Sequence, residues 1–243
     1  MPKQVVPPPI RRKLLALYDH FSQAVDKVAH EGNPKTTCTK GCAHCCHMMT
    51  AITMLEGAVL AENVMLRADW RDIALRARAD ALVLKEHWND RVAYLKAYSP
   101  CPLLDQEKKE CLLYNRRPSV CRFHFVVSDP ELCGPQPNGS TDILALDLTY
   151  PEAQVFRFCI TVTPDDADRD IIAPISLMLL HWLPALAKTE EDRTFLVGLS
   201  DGIMTAREFA SRSLSEERLR SNTPEALEAI HKSFTKVFTE KPL

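Results

Sequence analysis

Glycine is scarce in this chain: seven residues in 243. Phosphate-cradling loops need glycine because the backbone must approach an anion with no Cβ in the way. Neither GxGxxG nor GxxxxGK[ST] occurs, so nucleotide sites of those kinds are excluded. A charge excess is missing as well, with 30 basic against 32 acidic residues. That balance lacks the footprint of a polyanion binder, and no nucleic-acid partner is expected. Bilayer-length apolar runs are also absent. The most apolar later stretch, Ile171 to Leu186, is interrupted by Pro174, His181 and Pro184, whereas a spanning helix needs about 20 apolar residues. The opening MPKQVVPPP has no apolar segment of signal-peptide length. The expected compartment is therefore the cytoplasm, where thiols stay reduced.

What the chain does hold is cysteine, nine residues in all. An odd count cannot pair completely, and a reducing compartment disfavours a disulfide framework. Four thiols fall in one short stretch, Cys38-Thr-Lys-Gly-Cys42-Ala-His-Cys45-Cys46. Thiolates are the preferred ligands of zinc and of iron–sulfur iron, and short loops between them can wrap an ion or a cluster corner without strain. Adjacent Cys45 and Cys46 project in different directions, so one binds while the other serves a second metal or an outer role. Cys101, Cys111 and Cys121 lie in a second, irregular segment expected to fold over the first. Seven thiols exceed the four that one centre needs. Either two centres form, or three cysteines do other work. Cys133 and Cys159 each stand alone and read as small packing residues.

Competing chemistries use the same residues. The spacing of Cys38, Cys42 and Cys45 is also that of radical-SAM enzymes, but His44 stands where an aromatic is usual, and no repeated strand–helix pattern follows. Cysteine nucleophiles need one activated thiolate near a base, not a crowd of thiols, which weighs against His44, His47 or His124 in that role. His44 and His47 read equally as ligands or loop residues, and His124 as an ordinary partly buried histidine. Arg117 and Arg122 are candidates to offset the negative charge of a thiolate centre from just outside it. The alternative is surface arginines beside the Pro118 turn.

The ordered combination CxxxCxxCC at Cys38–Cys46, then Cys101-Pro-Leu-Leu, then Cys111-Leu-Leu-Tyr-Asn-Arg-Arg-Pro-Ser-Val-Cys121-Arg, resembles the YkgJ-type cysteine-cluster family. That group is described as a zinc- or iron-chelating domain, and the resemblance covers about residues 38–125. It implies Cys38, Cys42, Cys45, Cys46, Cys101, Cys111 and Cys121 as metal ligands. Flagellin lysine N-methylases look like distant relatives with a similar cysteine set. The expectation is a cytoplasmic metal-binding protein with a cysteine-ligated iron–sulfur centre, [4Fe–4S], serving redox, sensing or cofactor-dependent modification. Its alternatives are a non-catalytic zinc module that binds a partner protein, and a methylase-like enzyme using S-adenosylmethionine. Whether the chain is an enzyme, and what its partner or substrate is, the residues leave open.

Periodicity predicts a mainly α fold: an irregular helical domain with two cysteine-bearing loops forming a metal site and a small β-hairpin. The division expected is 1–32 as a helix packing on the core, 33–128 as the metal-binding region, and 129–243 as loop, β element and C-terminal helices. Leu14, Tyr18, Phe21, Val25 and Val28 mark the first helix, stopped at Gly32-Asn33-Pro34. Thr53 and Glu56 form a capping box for a second, expected to reach about Arg67. Asp69 would cap a third helix extending to about Tyr98, with the arginines at 71, 76, 78 and 91 on its wet face. Residues 128–140 read as an exposed loop. Ile143–Tyr150 and Gln154–Val162 read as two strands turning at Pro151. Pro174 opens a helix to about Ala187, Phe195 through Phe209 mark another, and Thr223 starts the last.

Overall fold

The computed structural model describes residues 4–32, 34–39, 41–87, 93, 97, 100–134, 144, 149–162 and 171–220. It is mainly helical. Helix α1 spans Pro8–Glu31, with prolines in the first turn, where a missing N–H leaves no bond unmade. Its buried face is Leu14, Tyr18, Phe21, Val25 and Ala29. Ala29, four residues after Val25, takes the inward place expected of Val28, which is 51% exposed. Both spacings fit a 3.6-residue turn, so periodicity alone could not separate them.

Helix α2, Met54–Val64, begins at the expected capping box. Thr53 accepts from the Glu56 amide, and Glu56 reaches back to the Thr53 amide. The helix stops before Arg67, whose guanidinium turns onto Asp69 at 2.7 and 2.9 Å. Asp69 is thereby occupied and makes no side-chain cap to helix α3, Trp70–Glu86. Ile73, Ala77, Ala81 and Leu84 are buried as expected. Trp88, Arg91, Val92 and Leu95 lie outside the described residues. The other three arginines do more than face water. Arg71 pairs with Asp192 at 2.6 Å, Arg76 donates to the Pro102 carbonyl at 3.0 Å, and Arg78 donates to the carbonyls of Gly198 and Asp201 at 3.2 Å.

Two short antiparallel ladders supply the β structure. Strand β1, Ala51–Thr53, pairs with a later strand, Ile172–Pro174, in the register Ala51↔Pro174, Ile52↔Ala173 and Thr53↔Ile172. Strand β2, Leu104–Asp105, pairs with β3, Glu110–Cys111, inside the second cysteine segment. Helix α4, Ser119–Arg122, follows. The expected strand Gln154–Val162 is instead part of helix α5, Thr149–Val162. Val155 and Cys159, four apart, are buried against the α1 face, and that packing overrides the β-like composition. Ile143–Tyr150 lies largely outside the described residues.

The Ile172–Pro174 strand, β4 in chain order, leads directly into helix α6, Ile175–Leu186. This is the central element: Leu177, Met178, Leu179, Leu183 and Leu186 are almost wholly buried. It packs on α2, on α3 and on helix α7, Glu190–Ser200. Gly57 permits the close approach of α2, since a Cβ there would lie 2.9 Å from the Met178 Cβ. The single helix expected through Phe195 and Phe209 is two, α7 and α8, Ala206–Arg220. Gly202, at φ 70°, breaks the path between them. The helix expected after Thr223 lies outside the described residues. Among the described residues no helix is long and apolar enough to cross a membrane.

Candidate metal centre

The first cysteine segment has little regular structure, and backbone bonds shape it. Gly41 at φ 89° makes the turn into Cys42, a conformation other residues resist. The Cys42 amide donates to the Thr39 carbonyl at 3.0 Å, and the Cys46 amide to Ala43 at 3.0 Å within a single 3₁₀ turn, His44–His47. The second segment is fastened directly to the first: the Cys101 amide donates to the Cys46 carbonyl at 2.8 Å. The β2–β3 hairpin, turning through Lys109 at φ 56°, then places Cys111 opposite Leu104. Cys121 comes from α4.

That last placement depends on Glu56. Its buried carboxylate accepts from the Ser119 amide at 2.7 Å, from the Tyr18 hydroxyl at 2.7 Å and from the Thr53 hydroxyl at 3.1 Å. One side chain thus ties α1, the start of α2 and the turn carrying Cys121. Burial first, and then the Glu56 charge, hold the Tyr18 phenol well above its ordinary range, so it remains a donor. In the sequence Glu56 is recognisable only as a capping residue.

Six of the seven expected ligands, Cys42, Cys45, Cys46, Cys101, Cys111 and Cys121, line one cavity of about 170 Å³. Leu60, Leu103, Leu113, Val120 and Ile175 supply apolar wall. The seventh, Cys38, lines an adjoining cavity of about 250 Å³, together with Cys42, Cys45 and Cys121. Its Sγ accepts a hydrogen bond from the Val126 amide at 3.3 Å. Cys133 is buried, as its packing reading expects, and also lines this second cavity. No local spacing motif marks it; the fold carries the turn Pro130–Cys133 back against the turn His44–His47. Cys159 sits away from both cavities, buried in the α1–α5 cluster, as its packing role requires.

The arginines differ in their service. Arg117 lines both cavities, stacks 3.8 Å over the Tyr114 ring and donates to the Tyr114 carbonyl. Arg122 lines only the second cavity, with its guanidinium donating to Ser22 Oγ at 3.0 Å and to the Asn115 carbonyl at 3.1 Å. His44 and His47 line neither of these two cavities, whereas His124 lines both.

Most of the thiols are pushed toward the protonated form. Burial is the largest cause for Cys101, raised to about 12, and for Cys111 and Cys121, with neighbouring thiols adding to it. Cys45 and Cys46 behave as a pair: the hydrogen bond between them holds Cys45 down and drives Cys46 up. A metal would have to displace these protons, because only the thiolate ligates. Among the described residues no three His, Cys, Asp or Glu side chains are gathered tightly enough to grip an ion as they stand. The donors surround a volume rather than a point. Their chemistry fits a thiophilic metal group: many thiols, an apolar lining, and a guanidinium that pulls Cys45 and Cys111 toward the thiolate.

Residues 37–139 match the family model CxxCxxCC, described as a "Putative zinc- or iron-chelating domain". Neither the curated proteins nor the solved structures contain a match to the chain.

Proposed function

We propose that the protein holds a cysteine-ligated iron–sulfur centre, [4Fe–4S], in its thiol-lined cavity, a reading supported by the match of residues 37–139 to a zinc- or iron-chelating family model. The observation that carries this reading is the distribution of Cys42, Cys45, Cys46, Cys101, Cys111 and Cys121 around about 170 Å³ of space. A cluster fills a volume and takes its thiolates at separate corners, whereas a lone zinc ion draws four sulfurs to about 2.3 Å from one point. Four of these six thiols would be ligands. When bound, such a group supplies one-electron chemistry for redox, sensing or cofactor-dependent modification of a partner in the cytoplasm.

The chain's own residues define the rest. Leu103, Leu113 and Val120 give the thiols an apolar wall. Arg117 offsets negative charge beside Cys45 and Cys111, which favours their thiolate forms. The Cys101 N–H to Cys46 carbonyl bond holds the two cysteine segments at a fixed separation.

Anaerobic purification with iron, sulfide and zinc counted together tests the reading. A brown protein with iron and sulfide in equal amounts is expected. Colourless protein with stoichiometric zinc would overturn it in favour of a zinc module built on the same thiols.

A further inference from the structure

The cavity of about 250 Å³ beside the candidate centre differs in character from the apolar, thiol-lined one. Its charged lining is Arg117, Arg122 and the exposed Asp26, and Tyr114 and Phe125 supply aromatic wall. We propose that this cavity binds a small organic carboxylate, held by the Arg117 and Arg122 guanidiniums, beside the centre assigned above. The inference deepens the reading of that centre by giving it a class of substrate, and rests on it for the choice of a monoanion.

Three observations support the assignment. The first is unmatched charge. Among the described residues neither Arg117 nor Arg122 makes an ion pair with a carboxylate. Arg122 is half-buried, and a cation withdrawn from water is costly unless an anion accompanies it. Arg117 also lines the cavity of the thiols, whereas Arg122 lines only the second of the two. The second observation is that both guanidiniums are already held in place. Arg122 stacks 4.8 Å from the Tyr18 ring centroid and donates to Ser22 Oγ at 3.0 Å and to the Asn115 carbonyl at 3.1 Å. Arg117 stacks over Tyr114 and is fixed by the bond from its Nε, which leaves its two terminal nitrogens without a hydrogen-bond partner among the described residues. Such a pair of parallel N–H groups is what a carboxylate accepts from with both oxygens. The third is a shortage of acceptors. Arg122 Nε and His124 Nε2 are buried and have no hydrogen-bond partner among the described residues. Both residues line this cavity, where the oxygens of a ligand supply acceptors.

Charge and size select the class of ligand. Two guanidiniums outweigh the one lining carboxylate, Asp26, whose exposure lets water screen it. A filled thiolate centre next door is itself net negative, so it repels a dianion such as phosphate more strongly than a monoanion. A carboxylate matches the guanidinium fork while carrying a single charge. Tyr114 and Phe125 offer the rest of the molecule an aromatic surface, and about 250 Å³ restricts that remainder to a small one.

The test is calorimetric titration of anaerobic full-length protein, its iron and sulfide counted, with benzoate, neutral benzamide and inorganic phosphate as probes. Benzoate should bind saturably at one equivalent, and benzamide and phosphate at least tenfold more weakly. Arg122→Gln should weaken benzoate binding at least tenfold while the iron and sulfide content is unchanged. Four results would overturn the proposal: no saturable benzoate binding, benzamide or phosphate binding as tightly as benzoate, full benzoate affinity in Arg122→Gln, or a loss of iron and sulfide in a folded Arg122→Gln protein, which would assign Arg122 to the centre. The contrast between benzoate and benzamide needs only the wild-type chain, so it decides the matter even where the variant fails to fold. Benzoate binding that depends on Arg122 in protein free of iron and sulfide would refute the iron–sulfur reading and leave the carboxylate site standing.

Discussion

Replacing Glu56 tests the link between fold and site most directly. Glu56→Ala removes the acceptor for two donors, the Ser119 amide and the Tyr18 hydroxyl, each at 2.7 Å. Leaving a buried donor unsatisfied costs about 1–3 kcal/mol apiece. Losing the capping box at Thr53 adds about 1 kcal/mol. The expected destabilisation is therefore about 3–7 kcal/mol, a large part of the roughly 5–15 kcal/mol that holds a typical domain together. Glu56→Gln keeps one acceptor oxygen but turns an N–H group toward a donor, and should cost about 2 kcal/mol. Tyr18→Phe deletes one donor without stranding another, and should cost about 1 kcal/mol. Urea denaturation of the three variants measures this order. Metal content should follow Ser119 rather than Tyr18: Glu56→Ala loses metal, because the turn carrying Cys121 is released, while Tyr18→Phe keeps it. An Ala variant within about 1 kcal/mol of the wild type would refute the reasoning.

Three other outcomes follow from single features. Gly57→Ala brings a Cβ to 2.9 Å from the Met178 Cβ, and overpacking of about 1–3 kcal/mol should exceed the helix-propensity gain of about 1, lowering Tm. Lys109→Gly relieves a left-handed residue at φ 56° in the β2–β3 turn and should stabilise by about 0.5 kcal/mol in the same urea assay. Alkaline pH should weaken the metal-free protein. Cys101 and Cys133, both pushed up mainly by burial, titrate at about 12 and about 11 in the fold against an ordinary 9.0. Below pH 9 both states hold these protons and the contribution is intact. From about 9 upward the unfolded chain ionises first, and stability falls until the folded thiols ionise too. Denaturation midpoints that rise between pH 9 and 11 would contradict this.

The elements that could be read in advance are those with a local cause. The Thr53–Glu56 capping box, the stop at Gly32, the proline-led start of α6 and the inner face of α3 each depend on a few neighbouring residues. The misreadings have non-local causes. Gln154–Val162 has strand-like composition, but it folds as helix because Val155 and Cys159 pack on a face of α1 more than a hundred residues earlier. Asp69 looked like a helix cap until Arg67 claimed its carboxylate. Gly202 split one apparent helix because its backbone turns left-handed there.

The candidate site divides along the same line. The short spacings of Cys38, Cys42, Cys45 and Cys46, and the ordered later cysteines, were enough to mark a chelating segment, because metal chemistry restricts both ligand type and loop length. Sequence alone thus marked the chelating segment and its candidate donors. Tertiary structure decided which of them share a cavity. It set Cys38 apart from Cys46, Cys101 and Cys111, and brought Cys133 and His124 to its side. It also made a capping glutamate the anchor of the Cys121 turn. Spacing along the chain constrains donors only over a few residues. Beyond that, their meeting depends on the packing of α1, α2 and α6, and on hydrogen bonds that join segments tens of residues apart.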